Sequence, residues 1–182
     1  MQILSFLREN ARFLMAGGLL ALTSSYGQTF FISLFAAQIM ADFNLSPGGW
    51  GGVYMAATMA SAVAMFWVGA LTDQYRVRAL SLLVLPGLAL TCLAMSVSTS
   101  LVALLAIVFF LRLFGQGMCS HLAVVSMARW FTRRRGLALS VSALGYSFGT
   151  AFLPVIFAIL LGVFDWRILW LIAAGLVALA LP

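Results

Sequence analysis

Long apolar runs alternate with short polar breaks along this chain, and the breaks recur at the interval a membrane sets. Runs with little or no charge cover residues 13–40, 48–71, 79–97, 101–128 and 136–164, and a sixth begins after Asp165, Trp166 and Arg167. A hydrocarbon core of about 30 Å takes roughly 20 helical residues to cross, so each of the first five predicts one transmembrane helix. The sixth, 168–182, rises only about 22 Å as a helix and is read as a span cut short. The expected fold is all-α: one polytopic bundle of six transmembrane helices over residues 1–182.

Composition narrows the class. The chain is 64% hydrophobic and 8% charged, against about half and about a quarter in a soluble domain, so a water-soluble body of this size is excluded. Its formal charge of +6 comes from arginines, with no lysine. A nucleic-acid binder would gather them on one face; here they lie in the breaks, so the bilayer is the expected partner and nucleic acid is not. With the amino terminus on one side, Arg8, Arg12, Arg76, Arg78, Arg129, Arg133, Arg134 and Arg135 all fall on that side and Arg167 alone among loop arginines falls opposite. The positive-inside rule makes the first side the cytoplasm. The first run lacks a small-residue cleavage site soon after a short apolar stretch, so it is read as a retained helix. Cys92 and Cys119 fall at different depths in spans three and four and are read as unpaired packing residues.

Small residues recur in two spans: Gly48, Gly52, Ala56, Ala60 and Ala64 in the second, and Ala138, Ser142, Gly145 and Gly149 in the fifth. Such stripes predict close helix contacts. Spans one and four carry most embedded polar groups, while three and six are mainly apolar. The order polar, small, apolar therefore appears twice, as two three-helix repeats would give.

Span one contains "TSSYGQTFFIS". On a continuous helix Tyr26, Thr29 and Ser33 share a face, with Ser24 and Gln28 nearly opposite. Tyr26 and Gln28 are candidates for a central cavity, and the competing reading, polar side chains bonding within the bundle, stays open. Span four contains Arg112, about 11 residues inside its outer end and so near mid-membrane. A cation there is expensive, about 2.5–3.5 kcal/mol at the least, and predicts a cavity or a partner. Gln116 follows one turn later, with Gly115 and Gly117 leaving room beside it. The alternative is an arginine tied up by backbone carbonyls and Gln116. His121 lies about half a turn round the helix from Arg112, so the two are not one constellation.

Catalytic templates fail. There is one histidine, no HExxH, no GxSxG, no phosphate loop and no metal-ligand cluster, and Glu9, Asp42, Asp73 and Asp165 all sit at predicted surfaces. Neither a metal nor a cofactor is expected, and the chain is not read as an enzyme.

The break "GALTDQYRVRAL" (69–80) resembles the loop between helices two and three of the major facilitator superfamily, G-x-L-a-D-r-x-G-r-k. Gly69, Leu71, Asp73 and Arg78 match; Arg76 stands at the second glycine and Val77 at a basic position, which implies a differently turned loop. "RLFGQG" (112–117) looks like the arginine-and-glycine pattern of helix four. "ARWFTRRRGLALSVSALGYSFG" (128–149) is similar to the loop and helix five of bacterial facilitators near the monocarboxylate and oxalate-formate porters, and "DWR" fits before helix six. The glycine-proline signature of drug antiporters is absent, Gly149 and Pro154 being separated by four residues.

The resemblance covers the whole chain but only the amino-terminal half of a twelve-helix fold. It implies secondary transport of a small organic solute by alternating access, an anion and a coupling ion such as H+ being in prospect, together with a carboxy-terminal six-helix half or a second copy. Gly69, Asp73, Arg76, Arg78 and Arg129 would form the gating loop, with Asp73 attracting Arg129 or a helix amino end. An intramembrane hydrolase using His121 and a non-transporting assembly subunit are the alternatives.

Overall fold

A computed structural model describes residues 2–180. Every element in it is helical: α1 (Gln2–Glu9), α2 (Ala11–Thr23), a 3-10 turn (Ser24–Gly27), α3 (Thr29–Ser33), α4 (Ala36–Asp42), α5 (Pro47–Gln74), α6 (Val77–Val97), α7 (Leu101–Phe110), a π-helical turn (Leu111–Cys119), α8 (Ser120–Trp130), α9 (Arg135–Leu161) and α10 (Trp166–Leu179). The ends follow local chemistry. Ser46 accepts from the Gly49 N–H at 3.0 Å ahead of Pro47, whose missing N–H is harmless at a first helical position. Ser100 caps α7 through the Ala103 N–H, and Asp165 caps α10 through the Arg167 N–H.

Helices 47–74, 77–97, 101–130 and 135–161 are long and apolar enough to cross a membrane, and α2 to α4 add a fifth, broken span. These match the five runs read from sequence. The sixth is an apolar helix of 14 residues, about 21 Å long at 1.5 Å per residue.

Span one departs from expectation. It is not one helix: the 3-10 turn interrupts it, Gln28 is extended at φ −80°, ψ 154°, and α4 is bent 68° from what precedes it. The interruption removes the helical phase on which Tyr26 and Thr29 would share a face. Tyr26 instead packs edge-on against Phe31 at 5.1 Å and joins an aromatic core with Phe157, Phe35 and Trp170.

The helices pair one with five (α2 on α9), two with four (α5 on α7 and the π turn) and three with six (α6 on α10). Exchanging spans 1-2-3 with 4-5-6 turns this pairing into itself, the relation two three-helix repeats require. The irregular turns of spans one and four pack directly against each other at Gly27 and Gly115.

The two stripes of small residues meet different fates. In α9 a Cβ on Gly145 would lie 2.0 Å from the Gly18 carbonyl oxygen, and one on Gly149 2.0 Å from Ser25 Oγ, so this stripe is a close helix contact. In α5, Gly52, Ala56 and Ala60 are exposed, and nothing lies within 4 Å of a Cβ on Gly52. The contact expected there is not made within this chain, because α5 turns Ala57 and Ser61 inward instead. Much of the outer surface is apolar, with Phe66, Val102 and Val163 largely exposed, as helices in lipid require. Cys92 and Cys119 are buried and free.

Candidate functional site

Arg112 lies in the π turn with 7% of its surface exposed. Its Nη1 donates to the Gly27 carbonyl at 3.3 Å and to Thr29 Oγ1 at 3.1 Å. The Tyr54 hydroxyl donates to the same Thr29 oxygen at 3.0 Å, and the Tyr54 ring centroid lies 5.5 Å from the guanidinium carbon. Thus spans one, two and four converge on one cation. The Gly27 carbonyl is available because the 3-10 turn ends there, leaving terminal carbonyls without helical partners. It comes within reach because neither chain has a side chain at the crossing: a Cβ on Gly27 would lie 2.1 Å from the Leu111 oxygen and 2.7 Å from Gly115 Cα.

The cation is incompletely satisfied. Arg112 Nε and Gln116 Oε1 are buried without hydrogen-bond partners. All four carboxylates sit at helix ends: Glu9 closes α1, Asp42 closes α4, Asp73 lies in the last turn of α5 and Asp165 caps α10. The charge of Arg112 therefore has no counter-charge in the interior, where an unpaired ion is most costly.

Of the other cavity candidates, Gln116 is on the same turn as Arg112. Gln28 is half-buried at the break in span one. Tyr26 is 6% exposed inside the aromatic core and does not join them. Sequence reasoning missed Thr29 and Tyr54. Tyr54 lies two turns into an apolar helix with no pattern to mark it; Thr29 shares a face with Tyr26 only on a continuous helix, and the break in span one separates them.

A second cluster lies at the end of the bundle that carries the amino terminus. Arg129 Nη2 meets Asp73 Oδ1 at 3.1 Å, and Arg129 Nη1 donates to the Thr72 carbonyl. The Thr72 hydroxyl donates to the Gly69 carbonyl at 2.8 Å and lies 3.2 Å from His121 Nε2. With its own proton committed, the hydroxyl accepts from an Nε2–H. Spans two and four are thus tied at two adjacent points. The Asp73 and Arg129 side chains are 81% and 42% exposed, so the pair is a weak, breakable link rather than a stability element. Arg76 caps α6 in an extended conformation, and no described glycine has positive φ, so the loop turns without needing a second glycine. Arg76 and Arg78 are exposed and do not reach Asp73 through any ion pair of the described residues.

At the opposite end, Asp42 accepts from Trp166 Nε1 at 3.0 Å and pairs with Arg167 Nη2 at 3.2 Å, while Arg167 Nη1 donates to the Ser96 and Ser98 carbonyls. This staple joins spans one, three and six.

A groove of about 970 Å³ lies elsewhere, between spans one, three and five. Its lining is almost wholly apolar, including Leu19, Leu85 and Phe148, and it holds no unpaired buried donor to orient a solute. Among the described residues no three His, Cys, Asp or Glu side chains gather as a metal site.

A bundle of apolar helices with a broken first span and a buried cation has the build of a multi-pass membrane protein. The chain belongs to the Major Facilitator Superfamily, which it matches over residues 17–182. No curated protein and no solved structure matches it. The family is one of transporters; the hydrolase and assembly-subunit alternatives gain nothing from it.

Proposed function

We propose that residues 1–182 form the amino-terminal six-helix bundle of a secondary active transporter of the inner membrane, amino terminus cytoplasmic, that moves a small organic anion by alternating access. Arg112 holds the anion, with Gln116 and Gln28 nearby, and a coupling ion such as H+ accompanies it. The Asp73–Arg129 link, with Gly69, Arg76 and Arg78, is the inner gate. A carboxy-terminal half or a second copy supplies the facing wall and covers the exposed small-residue stripe of α5.

One observation carries this reading: Arg112 is buried in the bundle with an unpartnered Nε and no interior carboxylate. A cation left so is explained by an anion that comes and goes. The test compares the full chain with Arg112→Gln, Arg112→Ala and Arg112→Lys in liposomes loaded with a panel of small carboxylates. The Gln and Ala variants should insert and fold yet lose binding; Lys keeps charge without the planar fork and should recover part. Poor folding with normal affinity in the surviving protein would make Arg112 a structural residue.

A further inference from the structure

Most embedded hydroxyls of this chain are spent on their own helices. Thr23 donates to the Leu19 carbonyl, Ser24 to Ala21, Ser61 to Thr58 and Thr91 to Gly87. Thr29 is different. It follows the extended Gln28, so no regular helical turn precedes it to accept its proton. Its oxygen instead takes Arg112 Nη1 at 3.1 Å and the Tyr54 hydroxyl at 3.0 Å. The two hydroxyls share one hydrogen bond, and the Thr29 oxygen is already engaged by the guanidinium, so one proton of the pair has no acceptor among the described residues. Thr29 is exposed and Tyr54 half-buried, which puts that proton on an open face. Beside it is Arg112, whose Nε is also without an acceptor.

We infer that Thr29 and Tyr54 form a second, uncharged arm of the Arg112 site, and that its ligands are small oxyanions carrying a further acceptor oxygen next to the anionic group. Arg112 takes the anionic oxygens and the hydroxyl pair takes the neighbouring oxygen. The patch offers a hydroxyl proton and a guanidinium, so a methylene placed against them leaves both unmatched. The arm makes the site selective: a site built to bond a ligand oxygen rejects the analogue that lacks it, because its own polar groups are then unpaired. This rests on the reading of Arg112 as the anion anchor.

The experiment uses a matched pair of probes, butyrate and methoxyacetate, which differ by a methylene against an ether oxygen that accepts but cannot donate. The full chain is placed in lipid nanodiscs, and competition between the probes is followed by saturation-transfer NMR. In an indifferent cavity butyrate binds better, since the ether must shed water. With the arm in place methoxyacetate should win by about fivefold, the worth of one net hydrogen bond. Tyr54→Phe and Thr29→Val should each reduce that preference, the double variant should reverse it, and Thr29→Ser, which keeps the hydroxyl, should preserve it. Butyrate preferred by the wild type, or methoxyacetate still preferred by the double variant, overturns the arm. If Arg112→Gln binds both probes as well as wild type, the anion-anchor reading fails as well, and a wild type that binds neither probe overturns both.

Discussion

Gly27 and Gly115 touch backbone to backbone where span one crosses span four: a Cβ on Gly115 would lie 2.6 Å from Gly27 Cα and 2.7 Å from its nitrogen. Backbone cannot yield as a side chain can. Gly115→Ala should therefore sit at the upper end of the roughly 1–3 kcal/mol that overpacking costs, or prevent folding altogether. Gly145→Ala should behave likewise against the Gly18 carbonyl, whereas Gly18→Ala, with nothing within 4 Å, should be close to neutral. Thermal melting of the detergent-purified variants, read by size-exclusion profile, checks the ordering; a mild Gly115→Ala would mean the crossing is looser than described.

Asp73 and Arg129 make an exposed pair, so breaking it should change conformation more than stability. Asp73→Asn should insert and melt like wild type while shifting the balance between inward-open and outward-open states by up to about 1 kcal/mol, the worth of an exposed pair. Accessibility of a cysteine placed at the inner mouth reports the shift. Unchanged accessibility together with unchanged transport would leave the loop as a topology anchor.

The outer staple predicts an asymmetry. Arg167 holds two backbone carbonyls as well as Asp42, whereas Asp42→Asn keeps an oxygen for Trp166. Arg167→Ala should cost about 1–3 kcal/mol and Asp42→Asn under about 1 kcal/mol. Equal losses would mean the ion pair, not the carbonyl contacts, dominates; a double-mutant cycle separates them.

Orientation follows from the arginine count. A cysteine at Arg133 should resist an impermeant thiol reagent in intact cells and react after permeabilisation, the native cysteines staying silent because both are buried. Ready labelling in intact cells would invert the topology.

The number, limits and apolarity of the spans were legible in the chain because they answer to the solvent, not to neighbours: a run of about 20 apolar residues is a membrane helix wherever it packs. The burial of Arg112 and the meeting of Asp73 with Arg129 came the same way, from counting along helices and from charge at their ends. What depended on neighbours was not legible. The small-residue stripe of α9 finds a partner and that of α5 does not, though both look alike in sequence, because a stripe records that a surface can be approached closely and not which surface comes. The break at Ser24–Gly27 had no local marker either, since Gly27 serves a crossing whose other half is 88 residues away at Gly115. That break turns Thr29 toward Arg112 and Tyr26 into the aromatic core. Helical phase carries through a polar motif only while the helix is unbroken, and here the tertiary contact decides where it breaks.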